Sequence, residues 1–259
     1  MQERLQRALV RLTHRGPDES GSWFENPLGI GHVRLSILDL SSSRQPMRDP
    51  SGRYVLSYNG EIYNYHSLRR ELQDQWTFTT QGDTEVLLAG LITQGESFLQ
   101  RLEGMWAFCF WDCQAQTLFL ARDRMGKKPL FYHQSGEIMT CASELPALAA
   151  LDEDCWQEDL DSSADYLRYG YYLPGMTAYE NVREVLPGHM LHWQPGSDIR
   201  QQAYWSLKVG AFHGSKQQAQ EALREKLVDA VRARMVADVE VGAFLSGGID
   251  SSLVVSILC

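Results

Sequence analysis

Met105-Trp106-Ala107-Phe108-Cys109-Phe110-Trp111 is apolar at every position. Side chains alternate along a strand. Met105, Ala107, Cys109 and Trp111 then face one way, and Trp106, Phe108 and Phe110 the other. A strand apolar on both faces is buried on both. It belongs inside a sheet with a layer packed on each side. Working outward, strand-like runs occur at Leu28 to Leu38, Tyr54 to Tyr58, Thr117 to Ala121, Pro129 to Tyr132 and Ile138 to Cys141. Helical patterns stand between them, at Tyr65 to Gln75 and Thr84 to Thr93. Leu5, Ala8, Leu9 and Leu12 recur at helical spacing, and His14-Arg15-Gly16-Pro17 ends that helix. Short strands with helices at intervals predict layered sheets covered by helices, an α+β fold.

The chain has 259 residues, 44% hydrophobic and 22% charged, with a formal charge of −9. An acidic balance argues against general nucleic-acid binding, which needs cationic groups on phosphates. No apolar run reaches the ~18 residues of a membrane span, and Met1 to Leu9 lacks the apolar core of a secretion signal. The five cysteines are Cys109, Cys113, Cys141, Cys155 and Cys259. They make no dense disulfide framework, so a reducing cytoplasm is expected. Cys109 and Cys113 form C-x-x-x-C without a second ligand pair, which makes Cys109 a core residue rather than a metal ligand.

The character changes near Ser206. A long helical pattern, Gln217 to Val236, precedes a predicted strand, Val239 to Leu245, and then Ser246-Gly247-Gly248-Ile249-Asp250-Ser251-Ser252. Glycines between a strand and a helix let backbone N–H groups approach an anion at the positive end of the helix dipole. Asp250 could hold Mg²⁺ against phosphates. No Lys follows the glycines, which excludes the G-x-x-x-x-G-K-[ST] phosphate loop. The plain alternative is a tight turn with Ser or Asp as a helix cap. One helix, one strand and a Gly-rich turn do not complete a domain, so this part is expected to be truncated.

Three earlier features carry charge or donors. Arg34 lies inside an apolar run and needs an anion, either a substrate carboxylate or an internal acid. Asn59-Gly60-Glu61 follows a strand. An Asn side-chain N–H and a Gly backbone N–H suit an oxyanion hole, although Asn-Gly also makes turns. Asp83, in Gly82-Asp83-Thr84-Glu85, either caps the next helix or meets a substrate ammonium.

Taken in order, His14-Arg15-Gly16-Pro17-Asp18, the Arg34 segment, Asn59-Gly60-Glu61-Ile62-Tyr63-Asn64, Gly82-Asp83-Thr84-Glu85, Arg122-Asp123-Arg124-Met125-Gly126-Lys127-Lys128-Pro129-Leu130 and Leu186-Pro187-Gly188-His189 resemble class II glutamine amidotransferases. Ser-Gly-Gly-Ile-Asp-Ser-Ser resembles the pyrophosphate loop of ATP pyrophosphatases. The combination is similar to the glutamine-hydrolysing asparagine synthetase family over nearly the whole chain. The resemblance implies an Ntn-hydrolase four-layer α/β/β/α sandwich over 1–205. It implies the start of an α/β ATP pyrophosphatase domain, of the adenine nucleotide α hydrolase-like kind, over 206–259. Arg34 would bind the glutamine α-carboxylate, and Asp83, helped by Glu61, the α-ammonium. Leu35, Ser36, Ile37 and Leu38 would supply backbone contacts. Asn59 and Gly60 would form the oxyanion hole. Leu245, Ser246, Gly247, Gly248, Asp250, Ser251 and Ser252 would bind ATP and its pyrophosphate, with Asp250 holding Mg indirectly. The implied substrates are glutamine, aspartate and ATP, and no nucleic acid or membrane is implied. Enzymes of this paired-domain build often dimerise, so a homodimer is also expected.

The family's nucleophile is an N-terminal Cys on a first strand, and none of the five cysteines stands there. The chain as written is therefore expected to lack glutaminase activity, with a first strand and Cys expected upstream of Met1. Two alternatives accompany this reading: an amidotransferase acting on another carboxylate, and a non-catalytic glutamine-binding protein.

Overall fold

A computed structural model describes residues 1–26, 28–40, 42–153 and 156–259. Cys155 lies outside the described residues. The central feature is a six-stranded antiparallel sheet in the order β11-β10-β6-β5-β4-β3. Its strands are β3 (Met47–Arg48), β4 (Tyr54–Ile62), β5 (Gly104–Asp112), β6 (Thr117–Arg122), β10 (His189–Trp193) and β11 (Arg200–Ala203). The two-sided apolar stretch is β5, between β4 and β6 as its pattern requires. Trp106, Phe108 and Phe110 enter one core with α2 (Tyr65–Leu72) and α3 (Asp83–Gln94). Ala107 and Trp111 enter the other, against the remaining sheets.

Those remaining strands form two small antiparallel sheets. One pairs β1 (Glu19–Glu25) with β2 (Leu28–Arg34), and the other has the order β8-β7-β9. Its members are β7 (Phe131–Ser135), β8 (Ile138–Ala142) and β9 (Val182–Glu184). Outside them lie α1 (Gln2–Leu12), which buries Leu5, Ala8 and Leu9, and α4 (Leu145–Leu151). The layers are therefore helix, sheet, sheet and helix. Beyond them α5 (Leu160–Tyr169) is capped by Asp159, whose carboxylate accepts the Ser162 N–H. Helix α6 (Lys216–Ala233) opens with a Ser215–Gln218 capping box, and α7 (Ile249–Leu258) follows the Gly-rich turn.

Several expectations change. The strand predicted over Leu28 to Leu38 ends at Arg34. There the Arg34 Nη2 donates to Leu38 O and Asp39 O, both at 2.7 Å, and folds the following residues into a loop. The strand predicted over Tyr54 to Tyr58 continues to Ile62, so Asn59-Gly60-Glu61 lies within β4 instead of after it. Position 60 tolerates only glycine, since a Cβ there would lie 2.3 Å from Met105 O. Strand β7 starts at Phe131, two residues later than expected. Val239 to Leu245 forms no strand. A strand needs a paired neighbour, and among the described residues none lies beside it.

Candidate functional site

A cavity of about 520 Å³ opens between the two sheet layers. Ser57 and Asn59 of β4 and Ala107 and Cys109 of β5 line it, opposite His32 and Arg34 of β2. Among the described residues β2 pairs only with β1, apart from one bridge between Arg34 and Pro17, and β8 only with β7. Gly31 of β2 and Cys141 of β8 both reach this cavity. Among the described residues, strands β2 and β8 thus each have an unpaired edge and each contribute residues to this cavity.

Of the residues expected to contact glutamine, Arg34, Leu35, Ile37, Leu38, Asn59, Gly60, Glu61 and Asp83 all line this cavity. Ser36 does not; its N–H donates to the Asp18 carboxylate at 2.8 Å. Arg34 is buried, and its Nη1 lies 3.5 Å from Glu19, so part of the internal-acid alternative holds. Asp83 is not a helix cap. Gly82 occupies that position, and the Asp83 Oδ2 accepts the Tyr58 hydroxyl at 2.7 Å and the Ile62 N–H at 2.9 Å. Burial raises the Asp83 pKa against those two donors, to about 6. Burial also raises the pKa of Glu61, opposed by nearby Lys128.

The N–H of Gly60 has a defined direction. Gly60 stands opposite Trp106, whose N–H and C=O are both taken by Asp123 across the other edge of β5. Gly60 and Trp106 are therefore a non-hydrogen-bonded pair, and the Gly60 N–H points away from β5. Along that same edge the Tyr58 N–H goes to the Gln45 side chain and the Ile62 N–H to Asp83. The Gly60 donor sits between them.

Among the lining residues that sequence reasoning missed are His32, Ser57, Tyr58 and Lys128. His32 faces the Ser57 hydroxyl at 3.2 Å. Burial, helped by the Arg34 charge, lowers its pKa to about 4, so it stays neutral. Lys128 is set by its own sequence block. The Asp123 carboxylate accepts the N–H groups of Met125, Lys127 and Lys128, and Arg122 donates to Lys128 O, Gly126 O and Val185 O. The Gly188 N–H closes the arrangement on Asp123 O at 2.9 Å. The Arg122–Leu130 and Leu186–His189 blocks are thus one scaffold that presents Lys128. The signal for Lys128 is the pair of blocks itself, since the buried charges of Arg122 and Asp123 hold the turn that carries it.

Two thiols also reach the cavity, from Cys109 and Cys141, which are hydrogen-bonded to each other. That bond and burial push the Cys109 pKa up, which holds it as an unreactive thiol.

The Gly-rich turn stands apart. Gly247 takes a left-handed φ of +81°, Gly248 caps α7, and the Ser246 and Ser251 hydroxyls lie 3.0 Å apart. None of Leu245 to Ser252 lines the cavity. Asp250 is exposed, and among the described residues no group of three His, Cys, Asp or Glu is placed to hold a metal.

The four layers and the buried cavity between the sheets define an Ntn-hydrolase amidotransferase fold. Solved structures agree. The glutamine phosphoribosylpyrophosphate amidotransferase from B. subtilis matches with a TM-score of 0.56 at 23% identity, over 78% of this chain and 46% of that one. A structure described as the allosteric regulatory enzyme of purine biosynthesis gives 0.58 at 22% identity, over 80% and 47%. The chain belongs to the glutamine amidotransferase domain family, whose pattern matches residues 1–205. Residues 222–259 match the asparagine synthase family. Relatives include a glutamine-hydrolysing asparagine synthetase of Bacillus subtilis, 35% identical over 99% of this chain and 40% of that protein. Another is Amidase chry2 of Gibberella zeae, 38% identical over 97% of this chain and 38% of that protein. The chain thus spans about two fifths of these relatives' length.

Proposed function

We propose that the cavity binds glutamine and that the chain carries the glutamine-handling part of a glutamine-hydrolysing asparagine synthetase. One observation carries this reading. A buried guanidinium and a buried carboxylate, Arg34 and Asp83, line the same cavity as Asn59 and Gly60. Glutamine offers a carboxylate and an ammonium at one end and a carboxamide at the other. Arg34 takes the α-carboxylate beside the Leu35–Leu38 backbone, exchanging its long contact to Glu19 for a shorter charged one. Ionised Asp83, with Glu61, takes the α-ammonium. The Gly60 N–H and the Asn59 side chain then face the carboxamide oxygen, where negative charge develops during acyl transfer.

The attacking thiol in this reading is the family's N-terminal cysteine, not Cys109 or Cys141. Water releases glutamate, and the freed ammonia attacks an aspartate already adenylated by ATP. The products are asparagine, AMP and pyrophosphate. Residues 1–205 form the glutaminase unit and 206–259 the opening of the ATP pyrophosphatase unit. Leu245, Ser246, Gly247, Gly248, Asp250, Ser251 and Ser252 would grip pyrophosphate. Support comes from the glycine turn that exposes N–H groups at the start of α7. In this reading Asp250 would hold Mg²⁺ indirectly, against the phosphates. Among the described residues no helix is long and apolar enough to cross a membrane. A cytoplasmic setting and a homodimer belong to the same proposal.

The test is calorimetric titration of glutamine into the chain and into Arg34→Ala and Asp83→Ala. Each removal leaves one ligand charge unpaired and should weaken binding by about 2–5 kcal/mol. Equal affinity in a folded variant would refute the assignment. The likeness to Amidase chry2 favours a second reading, in which the ammonia serves another carboxylate acceptor. Assaying the full-length protein with and without aspartate separates the two.

A further inference from the structure

The loop after β2 is held from two directions. From within, Arg34 binds its carbonyls at Leu38 and Asp39. From outside, Asp238 grips the same residues at two points. Its N–H donates to Ile37 O at 3.0 Å, and its Oδ2 accepts the Asp39 N–H at 2.7 Å. Asp39 and Asp238 are 199 positions apart in sequence.

Asp238 is itself anchored. In the turn that carries it, the Arg234 guanidinium lies 5.2 Å over the Tyr63 ring, and Val236 packs against the larger core. The grip also continues past the loop. The Asp39 carboxylate accepts the N–H groups of Gln81 at 2.7 Å and Gly82 at 3.0 Å, which lead into α3. The first residue of α3 is Asp83. A continuous hydrogen-bond path therefore runs from Asp238 through the loop to the start of α3, touching the surroundings of both Arg34 and Asp83.

We propose that Asp238 is a positioning residue for the glutamine site, through which the asparagine-synthase part of the chain sets the shape of the Leu35–Asp39 loop. This rests on the reading that the cavity takes glutamine. Ile37 O and Asp39 N–H belong to no helix or strand. Without the Asp238 carboxylate the Asp39 N–H turns to water, and the loop samples more conformations. Ordering it again on binding then reduces affinity. Changes in the packing of the 234–238 turn reach the glutamine site by this route.

The experiment compares the full chain with Asp238→Ala, Asp238→Asn and Val236→Ala. It measures glutamine affinity by calorimetry, amide exchange at Asp39, and thermal midpoint. Asn keeps an oxygen acceptor for the Asp39 N–H, whereas Ala does not. Asp238→Ala should weaken glutamine binding about tenfold (about 1.4 kcal/mol) and speed exchange at Asp39. Asp238→Asn should recover most of both. Val236→Ala should lower the midpoint without selectively exposing the Asp39 amide. Wild-type affinity and protected Asp39 in Asp238→Ala would overturn the proposal. So would Asn and Ala behaving alike with matching losses of midpoint, since that marks a purely structural contact. Absence of glutamine binding by the wild-type chain overturns the glutamine reading and this proposal with it. Wild-type binding with an unresponsive Asp238→Ala overturns this proposal alone.

Discussion

Asp83 and His32 are buried titratable groups in one cavity with opposite pH signatures. The Asp83 pKa is raised by burial to about 6, above the ~3.9 of an unfolded carboxylate. The folded state holds its proton more tightly, so this contribution is full below about pH 4 and disappears as pH rises through 6. Two units correspond to roughly 3 kcal/mol. Asp83→Asn is therefore expected to be more stable than wild type at pH 7 to 8 and similar near pH 4, measured by urea unfolding. His32 is lowered to about 4. Its contribution is present above about pH 6.5 and is lost as pH falls through 4, again roughly 3 kcal/mol. His32→Gln should flatten the acid side of the stability curve. Glutamine affinity has its own dependence, because only ionised Asp83 attracts an ammonium. Titration at successive pH values should show affinity falling up to tenfold per unit below about pH 6. A flat profile would remove Asp83 from the ammonium site. Asp39 behaves differently. Burial pushes its pKa up, but hydrogen bonds from Ser42, Gln81 and Ser43 outweigh this and hold it at about 2. It remains charged across the same range and keeps the loop tied to α3.

At the scale of elements, β4 and α6 give contrasting expectations. Gly60 is wedged against β5, and a methyl group there meets Met105 O and the Trp106 Cα at 2.3 and 2.7 Å. Gly60→Ala must push two central strands apart and should cost about 1–3 kcal/mol or more, read from the urea midpoint. Helix α6 has the opposite character. Only Val231 is buried along its eighteen residues, and Leu223 is 61% exposed. Few buried contacts mean low local stability. Amide exchange should be fast over most of α6 and the segment from Val239 onward, with protection confined to the turn that carries Asp238. Slow exchange throughout α6 in a monomer would mean that the helix is stabilised by contacts other than these.

For the whole molecule, the cavity between the β2 and β8 edges sets the main expectation. Strand edges that face a cavity leave backbone donors and acceptors without ladder partners. An extended strand added between them would pair both edges and join the two small sheets into one. The Cys109 thiol is held protonated by its bond to Cys141 and by burial, and is not expected to attack glutamine. A version extended upstream by an apolar strand with an N-terminal cysteine should gain both glutaminase activity and a higher thermal midpoint. Equal midpoints for the two would show that the edges accept no strand.

Periodicity alone determined much of this protein. The two-sided apolar β5, the amphipathic α1 and two helices, expected at Tyr65 to Gln75 and Thr84 to Thr93 and observed at Tyr65–Leu72 and Asp83–Gln94, were legible, because burial on a known face leaves a repeat of two or of 3.6 residues. The ordered motifs also bring Arg34, Asn59, Gly60 and Asp83 together as site candidates. What they could not supply depends on partners distant in sequence. Polar β1 has no apolar repeat to mark it, and its pairing with β2 makes it a strand. Asn59-Gly60 looks like a turn until nine residues of β5 pair with β4 and draw it straight. Val239 to Leu245 has the composition of a strand but, among the described residues, no neighbour to pair with. The raised pKa of Asp83, the neutrality of His32 and the grip of Asp238 on the Ile37–Asp39 loop come from burial and from hydrogen bonds across 20 to 200 positions. Only the tertiary structure decided these, because desolvation and hydrogen bonding act over distance in space, not along the chain.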